Sequence, residues 1–396
     1  MREKIKNIIE KIIPGDWGKE DTDNTGIKII RTTNFTNIGK IDFSNIVTRI
    51  IADKKIKERK LNKGDIIIEK SGGSPNQPVG RVVYFDEEIE EPILCNNFTS
   101  IIRCKANVNS KYVFHCLYSN WNKGNTKKYQ NKTTGIANLK LEKYLDDLEI
   151  ELPSLTEQNH IISILDKADE IRQKKKQAND KLDEFLKSTF IDMFGDPVKN
   201  EKSFNCMPFV DICLNIFGGG TPSKSHPEYY IGNILWVTPK DMKTLIVSSS
   251  IDHINENAVE NSSVKLIPAN SILMVIRSGI LKHTLPVAIN KVNVTVNQDM
   301  KAFVLNNKIA NPFYILYQIK LIEKMILKNV RSVTADNIEF NLIKNLKLVI
   351  PPIELQNKFA QIVEKAEQQK QTNEKVIEQM NNLFNSLSQK AFKGEL

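Results

Sequence analysis

The chain has 396 residues, enough for two hydrophobic cores. Its five cysteines form no CxxC pair, which favours neither a disulfide framework nor a zinc site. Hydrophobic residues make up 40% and charged residues 26%, and no apolar run approaches the roughly 20 residues that cross a bilayer. The net charge of +9 is compatible with a nucleic-acid partner, and we expect a protein of the reducing cytoplasm without membrane contacts.

The positive charge lies in two stretches of the chain. Residues 1–152 carry 26 basic and 21 acidic groups, a balance of +5, and residues 198–350 carry 17 and 11, a balance of +6. Residues 153–197 carry 7 basic and 9 acidic groups, and residues 351–396 carry 6 of each. A globular region that faces phosphate is expected to carry such an excess, so we expect nucleic-acid contacts in the first two stretches.

The amino-terminal segment predicts a short amphipathic helix that ends at Pro14 and Gly15. Its apolar residues recur at helical spacing: Ile5, Ile8, Ile9, Ile12 and Ile13.

Self-similarity indicates how the rest of the chain is organised. ELPSLTEQNHIISILDKADEIRQ, which begins at Glu151, aligns without gaps with VIPPIELQNKFAQIVEKAEQQKQ, which begins at Val349, a period of 198 residues. Three other segments repeat more faintly: IIRTTNF around Arg31 resembles WVTPKDM around Lys240, LNKGDIIIEKSGG from Leu61 resembles IPANSILMVIRSG from Ile267, and NNFTSIIRCK from Asn96 resembles NQDMKAFVLN from Asn297. The chain is therefore interpreted as an internal duplicate.

The duplication predicts an α+β protein in four segments. We expect a globular domain over residues 1–152, a long helix over 153–197, a second globular domain over 198–350 and a second long helix over 351–396.

Each helical segment predicts one helix of about 40 residues, roughly 60 Å long at 1.5 Å per residue. Ser154 and Glu157 form a capping box, and the first helix is expected to end at Gly195. Alternate steps of three and four residues trace a seam that turns polar at the same place in both copies. The seam consists of Ile161, Ile164, Ala168, Ile171, Lys175, Leu182 and Phe185 in the first helix and Phe359, Ile362, Ala366, Asn373, Val376, Met380 and Leu383 in the second. This 3.5-residue repeat predicts that the helices pack as an antiparallel coiled coil; the alternative is two surface helices, each on its own domain.

No set of catalytic residues stands out. GGGTPSKS from Gly218 lacks the second glycine of a phosphate-binding loop, and no helical pattern follows it, so we interpret it as a turn that leads into a sheet. Asn311-Pro312-Phe313-Tyr314 resembles the amine-binding motif of amino-methyltransferases but lacks its second proline, and Ser110-Lys111-Tyr112-Val113 takes its place in the repeat. A helix N-cap explains it better. Asp299 and Lys301 form no carboxylate cluster, and the five histidines are scattered, so we expect neither catalysis nor a metal.

Specific DNA binding combines phosphate contacts with side chains that reach base edges. Arg31, Lys70 and Arg277 are favoured because they lie beside the repeated strand-to-loop junctions. The predicted DNA-binding residues are Arg31, Thr32, Thr33, Asn34, Lys54, Lys55, Lys57, Arg59, Lys70, Lys127, Lys128 and Lys132 in the first domain and Lys240, Lys243, Arg277, Lys282, His283 and Arg331 in the second.

The two helical segments, the terminal AFKGEL and FGGGTPSKS from Phe217 resemble the specificity subunit of type I restriction-modification systems, over the whole length of the chain. The resemblance implies two target-recognition domains, each binding one half of a split double-stranded DNA site, and a helical pair that docks methylation subunits, two by symmetry. It implies no cofactor in this chain, with S-adenosylmethionine, ATP and Mg on partner subunits, and it leaves open whether a restriction subunit joins them.

Two other functions stay open at this point. A fused or cut-down modification-restriction enzyme is disfavoured because the methyltransferase motif pair is missing. A coiled-coil scaffold without DNA binding is disfavoured by the charge difference between domains and helices and by the divergence of the two domains.

Overall fold

The computed structural model describes residues 2–74, 77–133, 136–328, 330–332 and 336–391. The chain divides into two compact units, Met1–Lys175 with Lys375–Leu396, and Lys176–Glu374. Each unit thus contains one globular region and part of both long helices. The four segment boundaries predicted from the sequence stay predictions.

The elements of the first half are, in chain order, β1 (Arg2–Lys4), α1 (Ile5–Ile8), β2 (Ile9–Pro14), β3 (Ile27–Ile30), β4 (Val47–Arg49), α2 (Asp53–Arg59), β5 (Ile66–Glu69), β6 (Ser71–Gly72), β7 (Val82–Tyr84), β8 (Ile93–Cys95), β9 (Thr99–Cys104), α3 (Ser110–Asn122), β10 (Gln130–Thr133), β11 (Ile136–Leu139), α4 (Leu141–Asp147), β12 (Glu149–Glu151) and α5 (Leu155–Phe194).

The second half contains β13 (Asn205–Pro208), β14 (Cys213–Gly218), β15 (Ile234–Val237), β16 (Ile246–Val247), β17 (Asp252–Ile254), α6 (Glu256–Glu260), β18 (Ile272–Val275), β19 (Val287–Asn290), β20 (Val294–Val296), β21 (Met300–Leu305), α7 (Pro312–Leu321), α8 (Glu323–Leu327), β22 (Val330–Ser332), β23 (Asp336–Ile338), α9 (Phe340–Lys344), β24 (Lys347–Ile350) and α10 (Ile353–Ala391). Short 3-10 turns in the chain include Thr32–Asn34, Asn125–Tyr129 and Gly279–Lys282.

The strands of the two globular regions follow the same order. A sheet of order β2-β9-β5-β7 in the first unit corresponds to the sheet β14-β21-β18-β19-β16 in the second. A three-stranded sheet, β4-β3-β8 in the first unit and β17-β15-β20 in the second, has one antiparallel and one parallel pair in both. The duplication in the sequence is therefore a duplication of the fold.

The long helices contribute to the apolar core of each unit. In the first unit Ile161 and Leu165 of α5 pack into the core that contains α3 and strands β5 and β9. In the second unit Leu186 and Phe190 of α5 and Phe359 of α10 are fully buried in the core. Removing side chains of this size from water stabilises the fold by about 1.5–3 kcal/mol each, which explains why the helices keep an apolar face where they meet the sheets.

The predicted amino-terminal helix is largely wrong. Only Ile5–Ile8 is helical, and the chain continues as strand β2, which pairs antiparallel with β9. The register of this pair shifts between Ile9 and Lys11, so an extra residue interrupts the strand alternation and leaves an apolar spacing that resembles a helix. Isoleucine is β-branched and favours the strand once a partner strand accepts its backbone hydrogen bonds.

The two long helices pack against each other, as predicted. The capping box is present, because Ser154 N donates to Glu157 Oε2 (2.9 Å) and Glu157 N to Ser154 Oγ (3.3 Å). The first helix ends as predicted at Gly195, whose φ of 77° lies in the left-handed region that glycine adopts without strain.

The contacts within the second unit give the direction of the helices. Asn373 Nδ2 donates to Asn179 Oδ1 (2.7 Å), and Lys370 pairs with Asp183. Residue numbers therefore decrease along α10 in the direction in which they increase along α5. The helices are antiparallel, and the prediction of an antiparallel pair is confirmed.

The seam differs from the prediction at three positions. Phe185 and Leu383 are 52% and 40% exposed, whereas Leu186, next to Phe185, is fully buried. The polar seam residue Asn373 is 2% exposed. Its partner is Asn179, one turn beyond Lys175, the polar seam residue predicted for the first helix. A strict 3.5-residue repeat drifts off the buried face because each long helix also packs into the apolar cores of the two units, which widens the apolar stripe.

A buried amide joins the start of each long helix to its globular region. In the first unit Gln158 Oε1 accepts a hydrogen bond from Asn109 N (2.9 Å), while Gln158 Nε2 donates to Pro153 O (2.8 Å). Asn109 also caps α3, since its side chain accepts from Tyr112 N (3.0 Å).

The second unit repeats this arrangement. Gln356 accepts from Asn311 N (2.9 Å) and donates to Pro351 O (2.8 Å), and Asn311 caps α7, as predicted. The counterpart of Asn311 is therefore Asn109 and not Ser110, so the asparagine is kept in both copies. The connections between elements differ in length between the copies, which moved the predicted alignment by one residue.

Candidate nucleic-acid interface

The loop that follows β5 lies against the end of β9 and the hairpin β10–β11. Lys70 N and Ser71 N donate to Phe98 O (2.9 and 3.1 Å), and Leu139 N donates to Lys70 O (2.8 Å). Ser71 pairs in register with Asn138, and its Oγ lies 2.7 Å from Asn138 Oδ1. We call Lys70, Ser71, Phe98 and Asn138 the first-domain edge.

The equivalent loop after β18 makes the same backbone hydrogen bonds. Ile276 N and Arg277 N donate to Asp299 O (2.8 and 3.2 Å), and Ile338 N donates to Ile276 O (2.9 Å). Arg277 forms a β-bridge with Asn337, as Ser71 does with Asn138. We call Ile276, Arg277, Asp299 and Asn337 the second-domain edge.

The two edges share a backbone and differ in their side chains. Arg277 stands where the first domain has Ser71, and Asp299 stands where it has Phe98. Phe98 is 43% exposed, so its ring is accessible to a ligand. The two edges therefore offer a ligand different side chains at matched backbone positions.

Arg277 and Asp299 form an ion pair at the second-domain edge. Nε and Nη2 of Arg277 lie 2.7 and 2.6 Å from Asp299 Oδ1, with the Arg277 side chain 50% exposed. The other carboxylate oxygen accepts a hydrogen bond from Asn297 Nδ2 (3.0 Å). The guanidinium is thus held in a defined orientation at the end of a half-exposed side chain.

A basic cleft lies beside the first-domain edge. Lys70 lines a cleft of about 590 Å³ together with Lys140, Lys143 and the ends of β2 and β9 at Pro14 and Ser100. Lys140 and Lys143 are exposed. Glu142 also lines this open cleft, so three ammonium groups and one carboxylate leave a net positive surface that suits a phosphate backbone.

The predicted turn Arg31–Asn34 is held by its own side chains. Asn34 is buried, and its amide accepts from Arg31 N (2.9 Å) and donates to the carbonyls of Asp42 and Asn45. Asn34 therefore stabilises the turn, which leaves its amide no free group for a base. Thr33 is exposed at the turn and stays a predicted contact.

Helix α2 carries four of the predicted basic residues, and two of them face an internal acid. Lys55 and Arg59 lie 2.8 and 3.1 Å from Asp16 Oδ2. Burial alone would raise the pKa of Asp16, but the hydrogen bonds from Lys55 and Gly18 and the charges of Lys55 and Arg59 outweigh it and lower the pKa. Lys54 and Lys57 are exposed, which leaves their ammonium groups accessible to phosphate.

The other predicted residues are mostly exposed. Lys127 and Lys128 lie on the turn Asn125–Tyr129, Lys243 follows β15 on the surface, and Lys282 and His283 end the turn Gly279–Lys282. Lys240 pairs with Asp252 at 2.7 Å. The strands β10 and β22 contain Lys132 and Arg331, whose side chains lie outside the described residues.

The glycine-rich segment behaves as the turn that its sequence predicts. A Cβ on Gly219 would lie 1.7 Å from Asn297 O, so only glycine allows the backbone to approach there. Within the described ranges, no group of three or more His, Cys, Asp or Glu side chains could hold a metal ion. No helix among the described residues is long and apolar enough to cross a membrane.

Lys140, Lys143 and Asp299 lie at these surfaces but are not among the residues predicted from the sequence. Asp299 falls in NQDMKAFVLN, one of the repeated segments, so its place beside the strand-to-loop junction was a usable signal. Lys140 and Lys143 carry no such signal, because only the fold brings them to Lys70.

Comparison with known proteins connects both halves of the chain to one family. The family model described as type I restriction modification DNA specificity domain matches residues 4–184 and 207–382. The specificity subunit of the type I restriction enzyme EcoR124I/EcoR124II of Escherichia coli is 41% identical over 152 residues, 38% of this chain and 37% of that protein. The specificity subunit of the type I restriction enzyme MjaIX of Methanocaldococcus jannaschii is 28% identical over 152 residues, 37% and 34% of the two chains. The matches span little more than a third of the length of these relatives.

Two solved structures share the fold over nearly the whole chain. The S subunit of a type I restriction-modification system from M. genitalium has a TM-score of 0.64 and 14% identity over 99% of this chain and 96% of its own. A chain from a study of complex assembly and conformational transition of the type I R-M system has a TM-score of 0.55 and 16% identity, over 100% and 98%.

Proposed function

This chain belongs to the type I restriction-modification DNA specificity family, and on that premise we propose that it binds a bipartite double-stranded DNA site, one half-site per globular domain. The observation that carries the proposal is the pair of edges, which keep one backbone arrangement and exchange Ser71 for Arg277 and Phe98 for Asp299. Phosphate contacts position a protein on DNA, and side chains that reach base edges specify the sequence. Two copies with different side chains would thus bind two different half-sites.

The basic groups around the edges support DNA as the ligand. Lys70, Lys140 and Lys143 would neutralise phosphates beside the first-domain edge. The exposed residues Lys127 and Lys128 would do so on the turn that precedes hairpin β10–β11. In a coiled-coil scaffold without DNA binding, this local positive charge would have no ligand.

The partners of the chain follow from the same proposal. We assign it no catalytic step: methylation and cleavage would occur on partner subunits that bind S-adenosylmethionine, ATP and Mg. The internal duplication offers two equivalent surfaces, which suits two methylation subunits. A structural relative was studied for complex assembly of a type I system, which supports docking of this kind.

The test is to map methylated bases in a host that expresses the chain with its methylation subunits. We expect a split motif, two short specified halves separated by a spacer of fixed length and no specified sequence. The chain without those subunits should leave DNA unmethylated. A continuous motif would overturn the proposal of a bipartite site, and methylation by the chain alone would favour a fused enzyme.

A further inference from the structure

We propose that Arg277 recognises a guanine in the half-site of the second domain, and that Asp299 orients its guanidinium for that contact. The inference rests on the proposed function of the chain and names one residue that sets its specificity.

The ion pair uses only one edge of the guanidinium. Nε and Nη2 of Arg277 both point to Asp299 Oδ1, at 2.7 and 2.6 Å, in a side-on arrangement. The end-on edge, formed by Nη1 and the outer hydrogen of Nη2, has no partner among the residues that the structure describes. Two parallel N–H groups on that edge match the O6 and N7 acceptors of guanine in the major groove.

Asp299 is itself held in place. Its second oxygen accepts from Asn297 Nδ2 (3.0 Å), and its backbone N–H donates to Asn297 Oδ1 (3.2 Å). Asn297 is 8% exposed, so this support is part of the folded core. Immobilising an arginine side chain costs rotamer entropy. Orientation before binding removes part of that cost from the contact with DNA.

Two other arginines of the chain are held for a structural purpose. Arg81 and Arg103 pair with the carboxylates of Glu69 and Asp65, and their side chains are 10% and 23% exposed. Arg277 has the same kind of acidic partner but remains 50% exposed. The guanidinium of Arg277 is therefore both oriented and accessible to a ligand.

A base fits this position better than a phosphate. A phosphate contact carries no sequence information, whereas a base contact does. The residue at this backbone position differs between the copies, since the first domain has Ser71 there. Two domains that bind different half-sites need different base contacts, so we assign Arg277 to a base.

The experiment selects DNA from a random-sequence pool with the complete complex of chain and methylation subunits. Arg277→Lys is the matched variant, because it keeps the positive charge and removes the fork. We expect one guanine of the second half-site to become degenerate and the affinity for the original site to fall about 5- to 150-fold. Binding of unrelated DNA should change little. Asp299→Asn should weaken the same guanine preference to a lesser degree.

Three results would overturn the inference. These are an unchanged guanine preference in Arg277→Lys, a preference that disappears from the first half-site instead, and an equal drop in affinity for all sequences in Arg277→Ala, the signature of a phosphate contact. Failure of the proposed function is a separate result, because the wild-type complex would then enrich no split motif at all.

Discussion

A buried ion pair links the predicted turn at Arg31 to the core of the first unit. Arg81 Nε lies 3.5 Å from Glu69 Oε2, and Arg81 donates to Thr32 O (2.7 Å) and Phe35 O (3.1 Å). Burial raises the pKa of Glu69 to about 7, although the charge of Arg81 opposes the shift. Burial likewise lowers the pKa of Arg81, so both shifts indicate that desolvation outweighs attraction at this distance.

The raised pKa of Glu69 predicts a pH dependence of stability. Because the folded chain holds this proton more tightly than the unfolded chain, the stabilisation is complete below pH 4.5 and is lost as the pH rises to about 7. Between pH 4.5 and 8 the decrease amounts to about 3 kcal/mol at 1.36 kcal/mol per unit. Glu69→Gln should remove this slope, measured as amide exchange of strand β5 across that range. Equal slopes in both proteins would contradict the shift.

At the scale of the element, the long helices combine an apolar face with polar contacts across the pair. Asn373 is almost fully buried and bonds to Asn179, while Gln369 Nε2 donates to Asn373 Oδ1 (3.1 Å). A buried amide costs stability unless it is paired, and only one alignment of the helices pairs it. The contact therefore favours the observed register over its neighbours.

We expect Asn373→Leu to lower the free energy of unfolding by about 1–3 kcal/mol, because the Asn179 amide loses its partner. The double variant Asn179→Leu with Asn373→Leu should recover most of that stability, since an apolar pair replaces the amide pair. Urea denaturation followed by circular dichroism measures both. If the single variant were as stable as the wild-type protein, the amide pair would have no role in stability.

At the scale of the whole molecule, the duplication also preserved polar contacts between the helices. In the first unit Arg172 contacts Asp169 and Asn381. In the second unit the residues 198 positions away repeat the arrangement: Lys370 contacts Glu367 and Asp183. The helices thus keep their pairing chemistry, whereas the domains carry the excess positive charge and the diverged edges.

This division of charge predicts where the salt dependence of DNA binding arises. Lys127→Gln with Lys128→Gln should reduce the slope of log affinity against log salt by about 0.9 for each phosphate that these lysines neutralise. Lys181→Gln with Lys187→Gln, two exposed helix residues, is the control with the same change of charge. Gel shifts of the complex at several salt concentrations measure the slope. An equal change in both double variants would assign the effect to net charge alone.

Features that depend on neighbouring residues, or on the repeat within the chain, could be predicted from the sequence alone. The capping box at Ser154, the stop at Gly195, the two helices and the duplication all follow from short-range hydrogen bonding, backbone freedom and periodicity. The cap, the stop and the helices depend on nearby residues, and the duplication depends on internal similarity. None of them requires knowledge of which segments pair in the fold. For the same reason the segment Ile9–Pro14 was misassigned, because its strand exists only when β9 pairs with it.

The contacts between side chains that are distant in the sequence depend on the fold. Arg277 with Asp299, Glu69 with Arg81, and Lys70 with Lys140 are each separated in the chain and are joined by strand pairing and loop packing. From the sequence alone, an arginine that solvates the surface cannot be distinguished from one whose guanidinium is oriented as a hydrogen-bond donor. What distinguishes the two is the position of an acidic partner, and that position is set by the fold.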